Sequence, residues 1–116
     1  MRQCLSLASV KVVATRRYER QARKLLTAEE RALAEVEIAS APEAWPVIPG
    51  TGGARKARAR RGGKGKSGGA RIIYFVTTTR GLLILLYVYA KAEKEDLSDA
   101  EKKDLREIVK AIQAEG

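Results

Sequence analysis

Ala70-Arg71-Ile72-Ile73-Tyr74-Phe75-Val76-Thr77 and Leu82-Leu83-Ile84-Leu85-Leu86-Tyr87-Val88-Tyr89-Ala90 decide the fold. Both runs are rich in β-branched and aromatic residues, which suits a pleated, packed surface. Thr78 to Gly81 is short enough to join them as a hairpin. Their hydrophobicity is nearly continuous rather than alternating, so both faces of the sheet are expected to be largely covered. Upstream, Ala54 to Arg60 alternates, with Lys56, Arg58 and Arg60 on one side of an extended chain and Ala57 and Ala59 on the other. It reads as a third meander strand, joined to the first run by a Gly/Lys loop, Arg61 to Gly69. Before it, Pro46 to Gly53 is a turn-rich connection whose apolar members pack on the domain. Further upstream, Tyr18, Ala22, Leu25 and Leu26 form a helical stripe with basic residues opposite. Thr27-Ala28-Glu29-Glu30 has the form of a capping box. It opens a second helix whose apolar face is read as Ala32, Leu33, Val36 and Ala39, ending at Ala41-Pro42. Val10 to Thr15 reads as a strand. Downstream, Ser98-Asp99-Ala100-Glu101 is another capping box, starting a helix with Leu105, Ile108, Val109 and Ile112 on one face. The order β-α-α-β-β-β-α predicts an α+β domain: a small antiparallel sheet, an N-terminal helical hairpin and a C-terminal helix. Residues 1–9 are expected to be a flexible leader and residues 10–116 a single domain.

The chain has 116 residues, sufficient for one modest core. It carries 23 basic and 14 acidic residues. Arg55, Lys56, Arg58, Arg60, Arg61, Lys64, Lys66 and Arg71 lie in one stretch with no acidic residue, and the rest of the chain is nearly neutral. A field concentrated in this way attracts polyanions, of which nucleic acid is the commonest in a cell. The competing reading is a solvated loop. The chain has no histidine and one cysteine, Cys4. That excludes an intramolecular disulfide and Ser/His or Cys/His triads, and it argues against a zinc site. No cofactor is expected. The longest apolar run, Leu82 to Ala90, is too short to span a bilayer as a helix. Met1 to Ala14 makes a poor signal peptide. The expected location is the cytoplasm.

Gly65-Lys66-Ser67 resembles part of a phosphate loop, but position 60, where that motif needs glycine, is Arg60. A single Arg61-Gly62-Gly63 is weak evidence of an RNA-binding element. The arrangement of cations says more. Lys56 and Arg58 share one strand face, Arg71 begins the neighbouring strand, and Lys64 and Lys66 lie in the loop between. Tyr87, Tyr89 and Lys91 share one face of the last strand and its exit. Together these offer guanidinium forks for phosphates, ammonium groups and rings for stacking bases. The alternative for each tyrosine is a core position with its hydroxyl bonded to backbone.

Thr27-Ala28-Glu29-Glu30-Arg31, Val47-Ile48-Pro49-Gly50-Thr51-Gly52-Gly53 followed by Arg55-Lys56, Gly65 to Tyr74, and Tyr89 to Leu97 together resemble the HigB branch of the RelE/ParE toxins. The resemblance spans roughly residues 10 to 114. It implies a RelE-like fold and cleavage of mRNA in the ribosomal decoding site by a toxin of a type II toxin–antitoxin system. It also implies a cognate antitoxin, in this branch often a helix-turn-helix protein. By position, the residues it assigns to catalysis are Lys56, Arg58, Arg71 and Lys91. Arg55, Arg60, Lys64, Lys66, Tyr87 and Tyr89 are the expected RNA-binding residues. Relatives that rely on a histidine have no counterpart here.

In RNA the 2′-hydroxyl can attack the adjacent phosphate. Arg58 and Arg71 suit the charge that develops on the phosphate, because a planar fork matches two oxygens. Crowding by like charge eases deprotonation of a lysine. Lys56, Lys66 and Lys91 are therefore the proton-transfer candidates, with Lys56 or Lys91 as the base. Two other readings fit the same patch: a ParE-like gyrase inhibitor, and an RNA-binding module without catalysis. A membrane-surface role is weaker, since no basic helix carries bulky apolar anchors.

Overall fold

The computed structural model describes residues 11–61, 69–77, 81–94 and 96–115. The leader and Lys64 and Lys66 lie outside the described residues, as does most of the Thr78–Gly81 connection. Seven elements follow in order: β1 (Lys11–Ala14), α1 (Arg16–Leu25), α2 (Ala28–Ser40), β2 (Arg55–Ala59), β3 (Ala70–Thr77), β4 (Leu82–Ala90) and α3 (Asp99–Glu115). The α+β class and the expected element order are both present. The four strands lie in the order β1-β4-β3-β2. The three-strand meander is antiparallel, but β1 joins it parallel to β4, so the sheet is mixed. No helix among the described residues is long and apolar enough to cross a membrane.

Each face of the sheet carries its own core. On the first face, Tyr18 and Ala22 of α1, Leu26 at its C-cap, and Ala34 and Ile38 of α2 pack on Ala57, Ala59, Ala70, Ile72, Tyr74, Leu83, Leu85 and Val88. Alanines at 57, 59 and 70 leave room for the helices to approach the backbone. On the second face, Ile73, Phe75, Ile84 and Leu86 cluster with Ile48, Ala54, Leu97, Leu105 and Val109. The near-continuous hydrophobicity of β3 and β4 is thus explained, because both their faces are covered.

The helix caps follow the sequence closely. The Thr15 hydroxyl accepts from the Tyr18 amide at 3.1 Å and starts α1. At α2, Thr27 and Glu30 exchange side-chain and backbone hydrogen bonds at 3.0 and 2.9 Å. At α3, Ser98 and Glu101 do the same at 3.1 and 2.8 Å. The connection before β2 packs inward as expected. Ile48 is buried, and the Thr51 hydroxyl donates to the Ile48 carbonyl at 2.7 Å and accepts from the Ala54 amide at 3.0 Å.

The buried face of α2 differs from the sequence reading. Ala34 and Ile38 face the sheet, whereas Leu33 and Val36 are 61% and 62% exposed. The cause is polar. The Tyr18 ring is buried between the hairpin and the sheet, and its hydroxyl needs a partner. Glu35 accepts from it at 2.9 Å and is held by Arg31 at 2.8 Å. Burial first, and then the Glu35 charge, pushes the Tyr18 hydroxyl pKa well above its usual value. Turning Arg31 and Glu35 toward Tyr18 rotates Leu33 and Val36 into solvent. Ile38→Ala should therefore cost about 2–5 kcal/mol in urea unfolding, by the usual loss for a buried branched side chain. Leu33→Ala and Val36→Ala should each stay within about 0.5 kcal/mol of the parent.

Strand β4 contains a bulge that orients the tyrosines. Ile73 pairs with Tyr87 but Tyr74 pairs with Leu85, leaving Leu86 as the extra residue. Leu86 and Tyr87 consequently both join the second face, with Tyr89 beyond them. The outer edge of β4 past the reach of β1 is served by side chains instead of a strand. Thr15 donates to the Leu86 carbonyl at 3.2 Å, and the Gln21 side-chain oxygen accepts from the Val88 amide at 3.1 Å.

Candidate nucleic-acid interface

A row of side chains crosses three strands on the second face. Arg58 of β2 is registered against Arg71 of β3, and Arg71 against Tyr89 of β4. The next row holds Lys56, Ile73 and Tyr87. Directly opposed residues in a sheet project to the same side. Arg58 is exposed, and Arg71 and Lys56 are half-buried. Lys56 lies 3.6 Å from the carboxylate of Asp96. Asp96 also accepts from the Leu97 amide at 2.8 Å. That amide, followed by the lysine charges, holds the Asp96 carboxyl below its usual range against the opposing effect of burial.

The tyrosines are buried rather than displayed. Tyr89 is 4% exposed, and its hydroxyl has no hydrogen-bond partner among the described residues. Burial first, and then the Asp96 charge, raises its pKa, while Arg71 and Lys94 pull it down. A buried polar atom without a partner is uncommon in a folded protein, and this one lies on the face that carries Arg58 and Arg71. The Tyr87 hydroxyl donates to Glu101 at 3.1 Å and accepts from Lys94 at 3.2 Å. Arg17, from the first turn of α1, lies over the Tyr87 ring at 4.4 Å. Stacking of a base on either ring therefore requires these covering groups to move.

Glu101 divides its two carboxylate oxygens between two tasks. One caps α3 through the Ser98 amide at 2.8 Å, and the other holds Tyr87 and Lys94. Burial disfavours its charge, yet hydrogen bonds from Lys94, the Ser98 amide and Tyr87 outweigh that and bring its pKa down to about 2. A carboxyl lowered in the folded state stabilises the protein above its unfolded pKa of 4.5. That contribution should fade as pH falls from about 4.5 toward 2. Glu101→Gln keeps a side chain that can cap a helix. It should flatten this part of the stability–pH curve measured by circular dichroism.

Residues 10–115 match the family model described as the RelE toxin of the RelE/RelB toxin–antitoxin system. The chain belongs to the RelE toxin family. Solved RelE structures share the fold. An arginine-to-alanine double mutant of the E. coli toxin RelE in the free state superimposes with a TM-score of 0.54 at 22% identity, over 74% of this chain and 87% of that one. The isolated E. coli RelE toxin gives a TM-score of 0.51 at 19% identity, over 85% of this chain and 98% of that one.

On this RelE fold, three of the four expected catalytic residues, Lys56, Arg58 and Arg71, share one face. Lys91 lies at the exit of β4, its amide donating to the Gly69 carbonyl at 3.0 Å. Arg60 is exposed just beyond β2. Arg55 is not part of the group. It pairs with Tyr74 on the opposite face and donates to the Glu43 and Trp45 carbonyls at 3.1 and 2.6 Å. Its side chain fastens the connection before β2, because adjacent strand residues point to opposite sides. Arg17, Lys94, Asp96 and Glu101 were not among the expected site residues. The capping box singled out Glu101, but for its helix only. Among the described residues no three His, Cys, Asp or Glu side chains gather as metal ligands do.

Proposed function

We propose that this RelE-family toxin, of the HigB branch, is an endoribonuclease that cleaves mRNA held on the ribosome and so stops translation. The observation that carries this reading is the Arg58–Arg71–Tyr89 row on one sheet face. Two arginines stand at directly paired positions of neighbouring strands, and guanidinium groups suit phosphate; beside them is a hydroxyl with no hydrogen-bond partner among the described residues.

In the reaction, the 2′-hydroxyl oxygen bonds to the adjacent phosphorus and the bond from phosphorus to the 5′-oxygen breaks. The products are a 2′,3′-cyclic phosphate and a 5′-hydroxyl. Arg58 and Arg71 neutralise the charge that builds on the non-bridging oxygens. Tyr89 donates its hydroxyl hydrogen to one of them. Lys91, reacting as its neutral amine, takes the 2′ proton. Lys56, paired with Asp96, returns a proton to the leaving oxygen. Lys64, Lys66 and Arg60 add long-range attraction for the strand. A site built from cations gains most when the substrate is already held in line, which is what a ribosome supplies. A cognate antitoxin, a helix-turn-helix protein in this reading, restrains the toxin in the cytoplasm.

Purified protein added to a translating extract should cut a reporter mRNA, leaving cyclic-phosphate ends, and should leave the same mRNA intact without ribosomes. Gyrase-dependent DNA breaks with no mRNA cleavage would instead establish the gyrase-inhibitor alternative. Salt-sensitive RNA binding without cleavage would leave only a binding module.

A further inference from the structure

Helix α1 reads Arg16-Arg17-Tyr18-Glu19-Arg20-Gln21-Ala22-Arg23-Lys24-Leu25. At 3.6 residues per turn, its five cations fall within an arc of about 120°. All five are exposed. Glu19, the helix's one acidic residue, lies beside the arc and reaches Arg31 at 3.4 Å. Arg16, Arg20 and Arg23, with Ala14 and Glu19, line a shallow hollow of about 350 Å³. The arc adjoins the sheet face that carries Arg58, Arg71 and Tyr89. Arg17, at one margin, lies over Tyr87, and Gln21 beside it holds the Val88 amide of β4.

We propose that this arc is a second phosphate-binding track, and that it holds the part of the RNA strand flanking the scissile phosphate. The inference rests on the nuclease reading of the Arg58–Arg71 face and extends it around the edge of β4. An arc of cations with no large apolar residue within it does not supply the apolar centre that a protein interface usually buries. It does match a backbone that repeats one negative charge per nucleotide. The track begins at Arg17, and α1, docked along the edge of β4 through the Gln21–Val88 hydrogen bond, carries it onward by about 1.5 Å per residue. A strand leaving that face past Tyr87 meets Arg17 first, then Arg20 and Lys24, then Arg16 and Arg23.

The test uses the full chain and non-cleavable 2′-O-methyl RNA in two lengths, a tetranucleotide and a sixteen-nucleotide strand, titrated across salt. The wild type should bind the longer strand more tightly. The Arg20→Gln/Arg23→Gln double variant should keep the helix, since glutamine and arginine have similar propensities, and matching circular dichroism spectra check this. It should retain tetranucleotide affinity and lose the gain from length. Its log–log salt slope should fall by about 1.4, at roughly 0.7 per charge on a single strand. An Arg58→Ala/Arg71→Ala variant should lose tetranucleotide affinity. If the α1 variant binds the longer strand as the wild type does while the Arg58/Arg71 variant is weakened, the track is refuted and the Arg58–Arg71 face stands. If the α1 variant loses affinity only for polyglutamate, the arc serves an acidic protein and the proposal fails. A wild type that binds neither RNA length overturns the track and removes support from the Arg58–Arg71 face as well.

Discussion

Replacing Arg71 with alanine is expected to slow cleavage of ribosome-bound mRNA by about 10²–10³-fold, the usual cost of losing one preorganised donor to a developing oxyanion. Arg71 sits in the middle strand of the row, between Arg58 and Tyr89. The side chain is half-buried at the margin of the core, and its guanidinium donates to the Ala70 carbonyl at 3.3 Å. Thermal unfolding should therefore change by no more than about 1 kcal/mol. Arg71→Lys should recover only part of the rate, since an ammonium restores charge without the planar fork. Rates measured under single-turnover conditions separate these cases. A fully active Arg71→Ala protein would remove the residue from the chemistry.

Gly69→Ala is expected to destabilise the fold as much as truncating a buried core side chain. Gly69 has φ +67, and a Cβ there would lie 2.3 Å from the Ala59 carbonyl oxygen, which is backbone and has little room to yield. The left-handed conformation costs a residue with a Cβ about 1–2 kcal/mol, and the overlap adds roughly 1–3 kcal/mol. A total of roughly 2–5 kcal/mol is a large share of a small domain's stability. The position also sets the site. Ala59 pairs with Ala70 next to it, and the Gly69 carbonyl takes the Lys91 amide. A slip here would move Arg58 away from Arg71 as well as weakening the fold. Urea denaturation should show the loss, and a change under about 0.5 kcal/mol would mean that the turn relaxes freely.

The strands and caps were legible because their signals are local. Ile72 to Val76 and Leu83 to Val88 are short apolar runs rich in β-branched and aromatic residues, which favours a buried strand over a buried helix. Thr27/Glu30 and Ser98/Glu101 announce helix starts within four residues. The convergence of Lys56, Arg58 and Arg71 followed from strand alternation, as did the opposite direction of Arg55, although Arg55 was grouped with the site on charge alone. What was not legible depends on distant partners. The rotation of α2 is set by the hydroxyl of Tyr18 on another helix. The Leu86 bulge is visible only once β3 and β4 are paired. Arg17 becomes a neighbour of Tyr87 only when α1 docks along the edge of β4. The parallel pairing of β1 with β4 joins the two strands farthest apart in the chain, and nothing in Lys11–Ala14 names that partner.

Whether two arginines on adjacent strands hold one phosphate is best answered by a double-mutant cycle. Single-turnover cleavage rates are needed for the wild type, Arg58→Ala, Arg71→Ala and the combined variant on the same ribosome-bound mRNA. Shared grip on one group predicts a coupling of about 0.5–3 kcal/mol between the two substitutions. Rate losses that simply multiply, with no coupling, would show the two side chains acting at separate places and would contradict the assembled site.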